Sequence, residues 1–222
     1  AGEPLPAHVR DVDGAGISRV NLIDATPIGV NVRSTVATYS GVLDELRRAF
    51  ARTEEARADG LKPGAFSYNT GSLRCPTCDG TGQITLDVQF LPDVDIECTE
   101  CRGSRYGAQA ASILRDGLSL PDIMAMSVDE ARVAVRGLKK AGALLETLSG
   151  LGLGYLTLGE ATPALSGGEA QRLKLASEMG RRQDGTLFVF DEPTIGLHPD
   201  DVQVLIDVLQ HLIERGATVV VI

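Results

Sequence analysis

Leu165-Ser166-Gly167-Gly168-Glu169-Ala170-Gln171-Arg172-Leu173-Lys174, followed after a short interval by Leu187-Phe188-Val189-Phe190-Asp191-Glu192-Pro193, decides the fold. The first stretch predicts an amphipathic helix over Ser166 to Arg182 whose opening residues, Ser166, Gly167 and Gly168, present backbone N–H groups that have no partner inside the helix. These groups sit at the positive end of the helix dipole, and glycine lets an anion approach closely, so the helix start is a seat for phosphate. The second stretch is a short apolar run ending in two carboxylates and a proline, the pattern of a buried parallel strand with chemistry at its C-terminal edge. There Asp191 is suited to hold Mg²⁺ through its water shell, and Glu192 to orient and deprotonate an attacking water. Ser-Gly-Gly alone is an ordinary helix N-cap, and an apolar run ending in Asp-Glu is common. Their order and spacing together point to nucleotide chemistry on an α/β fold with parallel strands and flanking helices.

Composition bounds the remainder. The 222 residues are 43% hydrophobic and 23% charged, an ordinary globular balance long enough for a sizeable core. No apolar run approaches the roughly 20 residues of a membrane span, and the N-terminal residues lack a signal-peptide pattern, so the expected compartment is the cytoplasm, with no membrane partner. The net charge of −9 and pI near 4.8 exclude a generally basic nucleic-acid binder; any such contact must come from a local patch.

All four cysteines form two close pairs, Cys75-x-x-Cys78 and Cys98-x-x-Cys101. Each pair can turn both sulfurs toward one tetrahedral ion, so Cys75, Cys78, Cys98 and Cys101 are expected to bind Zn²⁺. Disulfides within a pair would be strained, and a reducing compartment disfavours them. Between the pairs Ile84 to Leu91 alternates like a strand, which predicts a metal-clamped hairpin. Four cysteines leave no open coordination position, so the metal's expected role is structural.

The first two stretches resemble the signature motif and the Walker B strand of ABC-type ATPases, with Thr194 to Asp201 in the D-loop position. No GxxxxGK[ST] loop occurs in the 222 residues. The chain is therefore expected to be a fragment, with Walker A upstream and the switch histidine downstream. The cysteine module ahead of the signature narrows the resemblance to the C-terminal nucleotide-binding half of the UvrA family. It is carried also by Thr26-Pro27-Ile28-Gly29, Ala37-Thr38-Tyr39-Ser40-Gly41, Lys62 to Asn69, Phe90-Leu91-Pro92-Asp93-Val94 and Gly152-Leu153-Gly154-Tyr155. It implies ATP, Mg²⁺ and Zn²⁺ as cofactors, damaged double-stranded DNA as ligand, a homodimer of the parent protein, and a UvrB-type partner subunit in nucleotide excision repair. Ser166, Gly167, Gly168, Glu169 and Gln171, with His198 of the D-loop, would then contact nucleotide across a domain interface, while Asp191 and Glu192 serve magnesium and water. The resemblance divides the chain into an ATPase-core part at 1–60, a zinc insertion at 61–110, a helical signature subdomain at 111–165, and the signature helix, Walker B and D-loop at 166–222.

Departures from the family pattern keep alternatives open. Asp24-Ala25-Thr26-Pro27-Ile28-Gly29 has alanine where the family has the Q-loop glutamine, and alanine can neither ligate a cation nor bond water through its side chain. Val32-Arg33-Ser34 replaces a Pro-Arg-Ser segment, and few basic residues flank the first cysteine pair. A paralogue conferring resistance to DNA-binding drugs, or a non-hydrolysing binding module, therefore stand beside the repair protein; a transporter ATPase would have no use for the cysteine insertion. Arg74, Arg102 and Arg105 are the candidate phosphate contacts on DNA, although residues 61–110 hold four basic against six acidic side chains. Elsewhere, Val20 to Ile23 reads as a strand, and Val42, Leu43, Leu46 and Phe50 as one helix face. Ser127 to Glu130 reads as a capped helix start, and Leu138 to Leu151 as a helix. Thr186 to Phe190, Asp200 to Arg215 and Thr218 to Ile222 form a βαβ unit, with Leu205, Val208, Leu209 and Leu212 on the helix's core face. No internal repeat is apparent.

Overall fold

A computed structural model describes residues 7–11, 13–14, 16–29, 31–86, 94–179, 183–194 and 199–222. Strand β1 (Arg19–Ile23) leads through an irregular stretch to helices α1 (Val36–Tyr39), α2 (Val42–Phe50) and α3 (Glu54–Ala58). A hairpin of β2 (Gln83–Leu86) and β3 (Val94–Glu97) follows, then α4 (Ala108–Ser112) and the two-residue strands β4 (Leu114–Arg115) and β5 (Leu118–Ser119). Helices α5 (Leu120–Ala125), α6 (Val128–Ala134) and α7 (Lys139–Leu148) precede the signature helix α8 (Gly167–Met179). The chain closes with β6 (Thr186–Phe190), α9 (Pro199–Glu214) and β7 (Thr218–Val221).

The sheet that carries the site has strand order β1-β6-β7 and is parallel throughout. Ile23 lies opposite Phe190, and Phe190 opposite Val221, so the C-terminal ends of all three strands finish at one edge. The expected β6-α9-β7 unit is present. Phe188 and Phe190 are buried on one face, among Ile23, Leu173, Leu205 and Leu212 of the same core. The opposite face is open: Val20 and Leu22 of β1 are 60% and 57% exposed, and Val220 of β7 is 43% exposed. Parallel sheets are normally covered on both faces; among the described residues nothing covers Val20 and Leu22 on this one.

Local sequence accounts for α2 and α6 directly. In α2 the buried Val42, Leu43, Leu46, Ala49 and Phe50 lie on one side, with Asp44 and Glu45 in the first turn and Arg47 and Arg48 in the last, as the helix dipole favours. Ser127 and Glu130 form the expected capping box of α6. The helix expected over Leu138 to Leu151 ends its regular turns at Leu148, and the following Ser149–Leu153 is kinked at Gly152, which has φ 71°. The signature helix also departs from expectation. Its buried residues Ala170, Gln171, Leu173, Leu175 and Ala176 point to several sides of the helix, so α8 is not amphipathic but is packed nearly all round.

One continuous apolar core runs from Ile23 to Ala217 and includes Phe66, Tyr68, Leu73 and Tyr106 from the segment expected as the zinc insertion. Among the described residues the cysteine knuckles form a second, separate cluster. The strand expected over Ile84 to Leu91 is observed as Gln83–Leu86, paired antiparallel with Val94–Glu97; residues 87–91 lie outside the described residues.

Candidate nucleotide edge and metal centre

The signature helix opens with a reciprocal cap. The Ser166 N–H donates to Glu169 Oε2 at 2.7 Å, and the Glu169 N–H donates to Ser166 Oγ at 3.3 Å. Glu169 Oε1 accepts the Tyr155 hydroxyl. Burial works against ionising Glu169, but the Tyr155 hydroxyl and the two Ser166 donors outweigh it and hold the carboxyl below its ordinary range. Glu169 thus braces the cap from within, while Ser166 and Gly167 remain exposed. The first-turn amides of Gly167 and Gly168 have no intrahelical acceptor and lie with the Ser166 hydroxyl at the positive end of the helix.

The carboxylate pair stands at the sheet's C-terminal edge. The Asp191 N–H donates to Ile23 O at 3.2 Å and the Glu192 N–H to Ile222 O at 3.1 Å, so the ends of β1 and β7 hold the turn from either side. Glu192 has φ 46°, a left-handed conformation that costs a glutamate of order 1–3 kcal/mol. Both side chains are exposed, free to meet a hydrated cation and a water. Gln171 joins this edge to the helix: its buried side-chain amide donates to Ile23 O at 3.0 Å and to Asp191 O at 2.9 Å. The amide hydrogens are spent on the backbone, so Gln171 acts by locking α8 to the strand ends. His198 lies outside the described residues.

A third contact fixes the same edge. Lys174 of α8 donates to the Asp24 carboxylate at 2.6 Å, to the Asp24 carbonyl at 3.0 Å and to the Thr26 hydroxyl at 2.8 Å. The hydrogen bond from Lys174, aided by Thr26, brings the Asp24 carboxyl down to about 2. Ala25, next in the chain, lies against Gly167.

Sulfur geometry in the cysteine cluster fits one ion. The four sulfurs all lie within 4.8 Å of one another, with Cys75 to Cys98 at 3.9 Å and Cys78 to Cys101 at 3.6 Å. A tetrahedron with Zn–S bonds of about 2.3 Å has sulfur–sulfur edges of roughly 3.8 Å. Burial pushes the Cys75 thiol up and Cys101 to about 12, a penalty on bare thiolates that a bound cation would remove. Cys78 moves the other way, to about 7, because the Gly82 N–H and the neighbouring thiols outweigh its burial.

The knuckles are a repeat, contrary to the sequence expectation. Cys75-Pro76-Thr77-Cys78-Asp79-Gly80-Thr81-Gly82 matches Cys98-Thr99-Glu100-Cys101-Arg102-Gly103-Ser104-Arg105, and the backbone follows. Asp79 and Arg102 have φ 51° and 46°, Gly80 and Gly103 have 77° and 75°, and Gly82 and Arg105 have 78° and 72°. The signal in the sequence was the Cys-x-x-Cys-x-Gly recurrence. Gly80 is required for a further reason, since a Cβ there would stand 1.8 Å from the Tyr68 carbonyl oxygen.

The three arginines separate. Arg105 is 6% exposed, its guanidinium donates to Val32 O at 2.8 Å and lies 5.2 Å from the centre of the Tyr68 ring, so it is a buried anchor and not a phosphate contact on the surface. Arg74 pairs with Asp79 at 2.9 Å and donates to Asn69 O. Arg102 is exposed and lines a groove of about 560 Å³ with Pro121, Met124 and Glu160. Sequence reasoning missed Lys174, Arg33 and Asp79. Arg33 binds Asp79 through both its carbonyl (2.8 Å) and its carboxylate (2.9 Å), across 46 residues that carry no local signal of the pairing.

Among the described residues no helix is long and apolar enough to cross a membrane. No family model matches the chain. The chain is 44% identical over 220 residues to UvrABC system protein A of Synechocystis sp., covering 98% of this chain and 23% of that protein. UvrABC system protein A of Aquifex aeolicus is 46% identical over 217 residues, covering 97% and 23%. The crystal structure of UvrA2 from Deinococcus radiodurans superposes with a TM-score of 0.86 at 42% identity, covering 94% of this chain and 26% of that one. The chain therefore spans about a quarter of the length of the relatives it matches.

Proposed function

Because this chain is a UvrA-family segment, matched over nearly all its own length in both sequence and fold, we propose that it supplies the signature and Walker B parts of a composite ATPase site in a DNA-damage-recognition protein of nucleotide excision repair. The observation that carries this reading is Gln171, which ties an exposed helix N-terminus and an exposed Asp-Glu edge into one rigid body. Such a body can serve nucleotide on its helix side and metal-bound water on its strand side without either part moving alone. Ser166 and the amides of Gly167 and Gly168 would bind the γ-phosphate held by a facing domain. Asp191 would hold Mg²⁺, which supplies charge neutralisation on the phosphates, and Glu192 would orient the attacking water and accept its proton. Cys75, Cys78, Cys98 and Cys101 would hold Zn²⁺ as a structural brace. DNA, a second copy of the parent protein and a UvrB-type subunit are the partners of this reading, and the compartment is the cytoplasm.

Ala25 favours a second reading, in which this site binds nucleotide but turns it over slowly, because no side chain at that position reaches a cation. Glu192→Gln in the intact parent protein separates the two. The hydrolytic reading expects kcat to fall by about 10²–10⁴-fold with ATP binding retained; unchanged hydrolysis would remove the catalytic role of this edge.

A further inference from the structure

Residues 24–33 form no helix or strand among the described residues, yet they are held at three places. At one end Lys174 of α8 binds Asp24 and Thr26, and Gly167 rests on Ala25. Midway the Ile28 carbonyl accepts the hydroxyl of buried Thr162 at 2.8 Å, and Thr162 stands just ahead of the signature serine; its N–H also donates to Ser34 O at 2.9 Å. At the other end two adjacent residues are gripped by different knuckles. Asp79 of the first knuckle holds the Arg33 guanidinium, and Arg105 of the second donates to Val32 O at 2.8 Å.

The second knuckle makes that grip at evident cost. Arg105 is an L-residue at φ 72°, it is buried, and its Nε has no partner. A buried, strained, incompletely bonded cation persists only where its surroundings over-determine it. Its repeat counterpart, Gly82, shows that the knuckle fold itself needs no side chain at this position. What Arg105 adds, besides its stacking on Tyr68, is the bond to Val32.

We propose that the described residues 24–29 and 31–33 act as a strap that transmits the spacing of the two cysteine knuckles to the start of the signature helix. Asp79 follows Cys78 directly and Arg105 follows Cys101 by four residues, so both move with the metal ligands. Val32 and Arg33 are joined by one peptide of fixed length, so a change in knuckle spacing must swing or drag that peptide, or break one of the two grips. Among its described residues the segment is tied to itself only locally, Thr26 onto Asp24 and Arg33 onto Asn31, and it meets the signature element through Thr162, Gly167 and Lys174. The geometry stands by itself; only its purpose, coupling a zinc module to a nucleotide site, rests on the function proposed above.

Hydrogen exchange on the whole chain tests the strap. Arg33→Ala touches no cysteine, so zinc content should stay at one per chain while the Glu169 and Ala170 amides exchange about tenfold faster and α5 and α6 are unchanged. Chelating zinc from the unaltered chain should produce the same acceleration at Glu169 and Ala170, and should add nothing in Arg33→Ala. Faster exchange confined to 31–34 and 75–82, or additive effects of chelation and substitution, would overturn the proposal. Arg33→Lys, which keeps the charge but loses the two-point grip, should give an intermediate acceleration and serves if Arg33→Ala does not fold. In the intact parent protein, Arg33→Ala should bring DNA-stimulated hydrolysis toward the unstimulated rate. A parent whose hydrolysis never responds to DNA would refute the functional reading, while the exchange result would still judge the strap.

Discussion

Gly167 opens the signature helix pressed against Ala25: a Cβ built on Gly167 would stand 3.1 Å from the Ala25 Cβ and 3.2 Å from its carbonyl oxygen. The first glycine of the signature is thus closely packed against the residue that follows Asp24. Gly167→Ala should lower stability by about 1–3 kcal/mol, read as a fall in Tm of roughly 2–10 °C. Ala25→Gln should leave Tm unchanged, since Ala25 is exposed. An unaltered Tm in Gly167→Ala would show that Ala25 yields freely.

Gln171 donates to two carbonyl oxygens from different strand ends. Gln171→Ala should cost about 1–3 kcal/mol in urea unfolding, because the helix loses its tie, the Asp191 carbonyl loses its side-chain donor and Ile23 O is left with the Asp191 N–H alone. Gln171→Glu should be worse near neutral pH, since a carboxylate would face the Ile23 and Asp191 oxygens without a hydrogen to offer. Equal stability of the two variants would argue that water takes over the amide's role.

The Asp24–Lys174 pair predicts an acid-sensitive contribution. The Asp24 carboxyl lies at about 2 in the folded chain against 3.8 for the free group, so the folded state holds this carboxylate ionised more readily than the unfolded state does. The resulting stabilisation is fully present above pH 3.8 and is lost as pH falls toward 2. The stability difference between the native chain and Asp24→Asn, measured by urea unfolding, should be flat from pH 5 to 7 and shrink between pH 4 and 2. A difference that grows on acidification would reverse the assignment.

Because the cysteine cluster is separate from the main core, metal loss should leave that core folded and reach beyond the knuckles only through the strap to the start of α8. Metal analysis should find one zinc per chain, and Cys98→Ser should abolish it. The β2–β3 hairpin should then lose its exchange protection while β6 keeps its own. Complete unfolding of Cys98→Ser would show that the knuckles carry the whole fold.

The open sheet face should behave as an uncompleted interface. Val20→Lys with Leu22→Lys should reduce self-association of the chain, followed by light scattering, with a change in Tm of no more than a few degrees, since both side chains already face outward. A large loss of Tm would mean that the face is covered in the chain as it stands.

Much of this molecule follows from local sequence. The cysteine spacing, the capping pair Ser127 and Glu130, the one-sided α2 and the βαβ order each depend on residues a few positions apart, whose hydrogen bonds and burial recur with the period of their element. The same locality made Ser166 a helix cap and placed Asp191 and Glu192 at a strand end. The tertiary structure alone decided where the long-range partners fall. It turned Gln171 inward onto Ile23 and Asp191, drew Lys174 to Asp24, paired Arg33 with Asp79, and buried Arg105 where composition suggested a surface cation. Periodicity reports which face of an element is covered, not which distant atom covers it. A donor can find an acceptor 46 or 150 residues away only after the sheet and helices have set the path of the backbone.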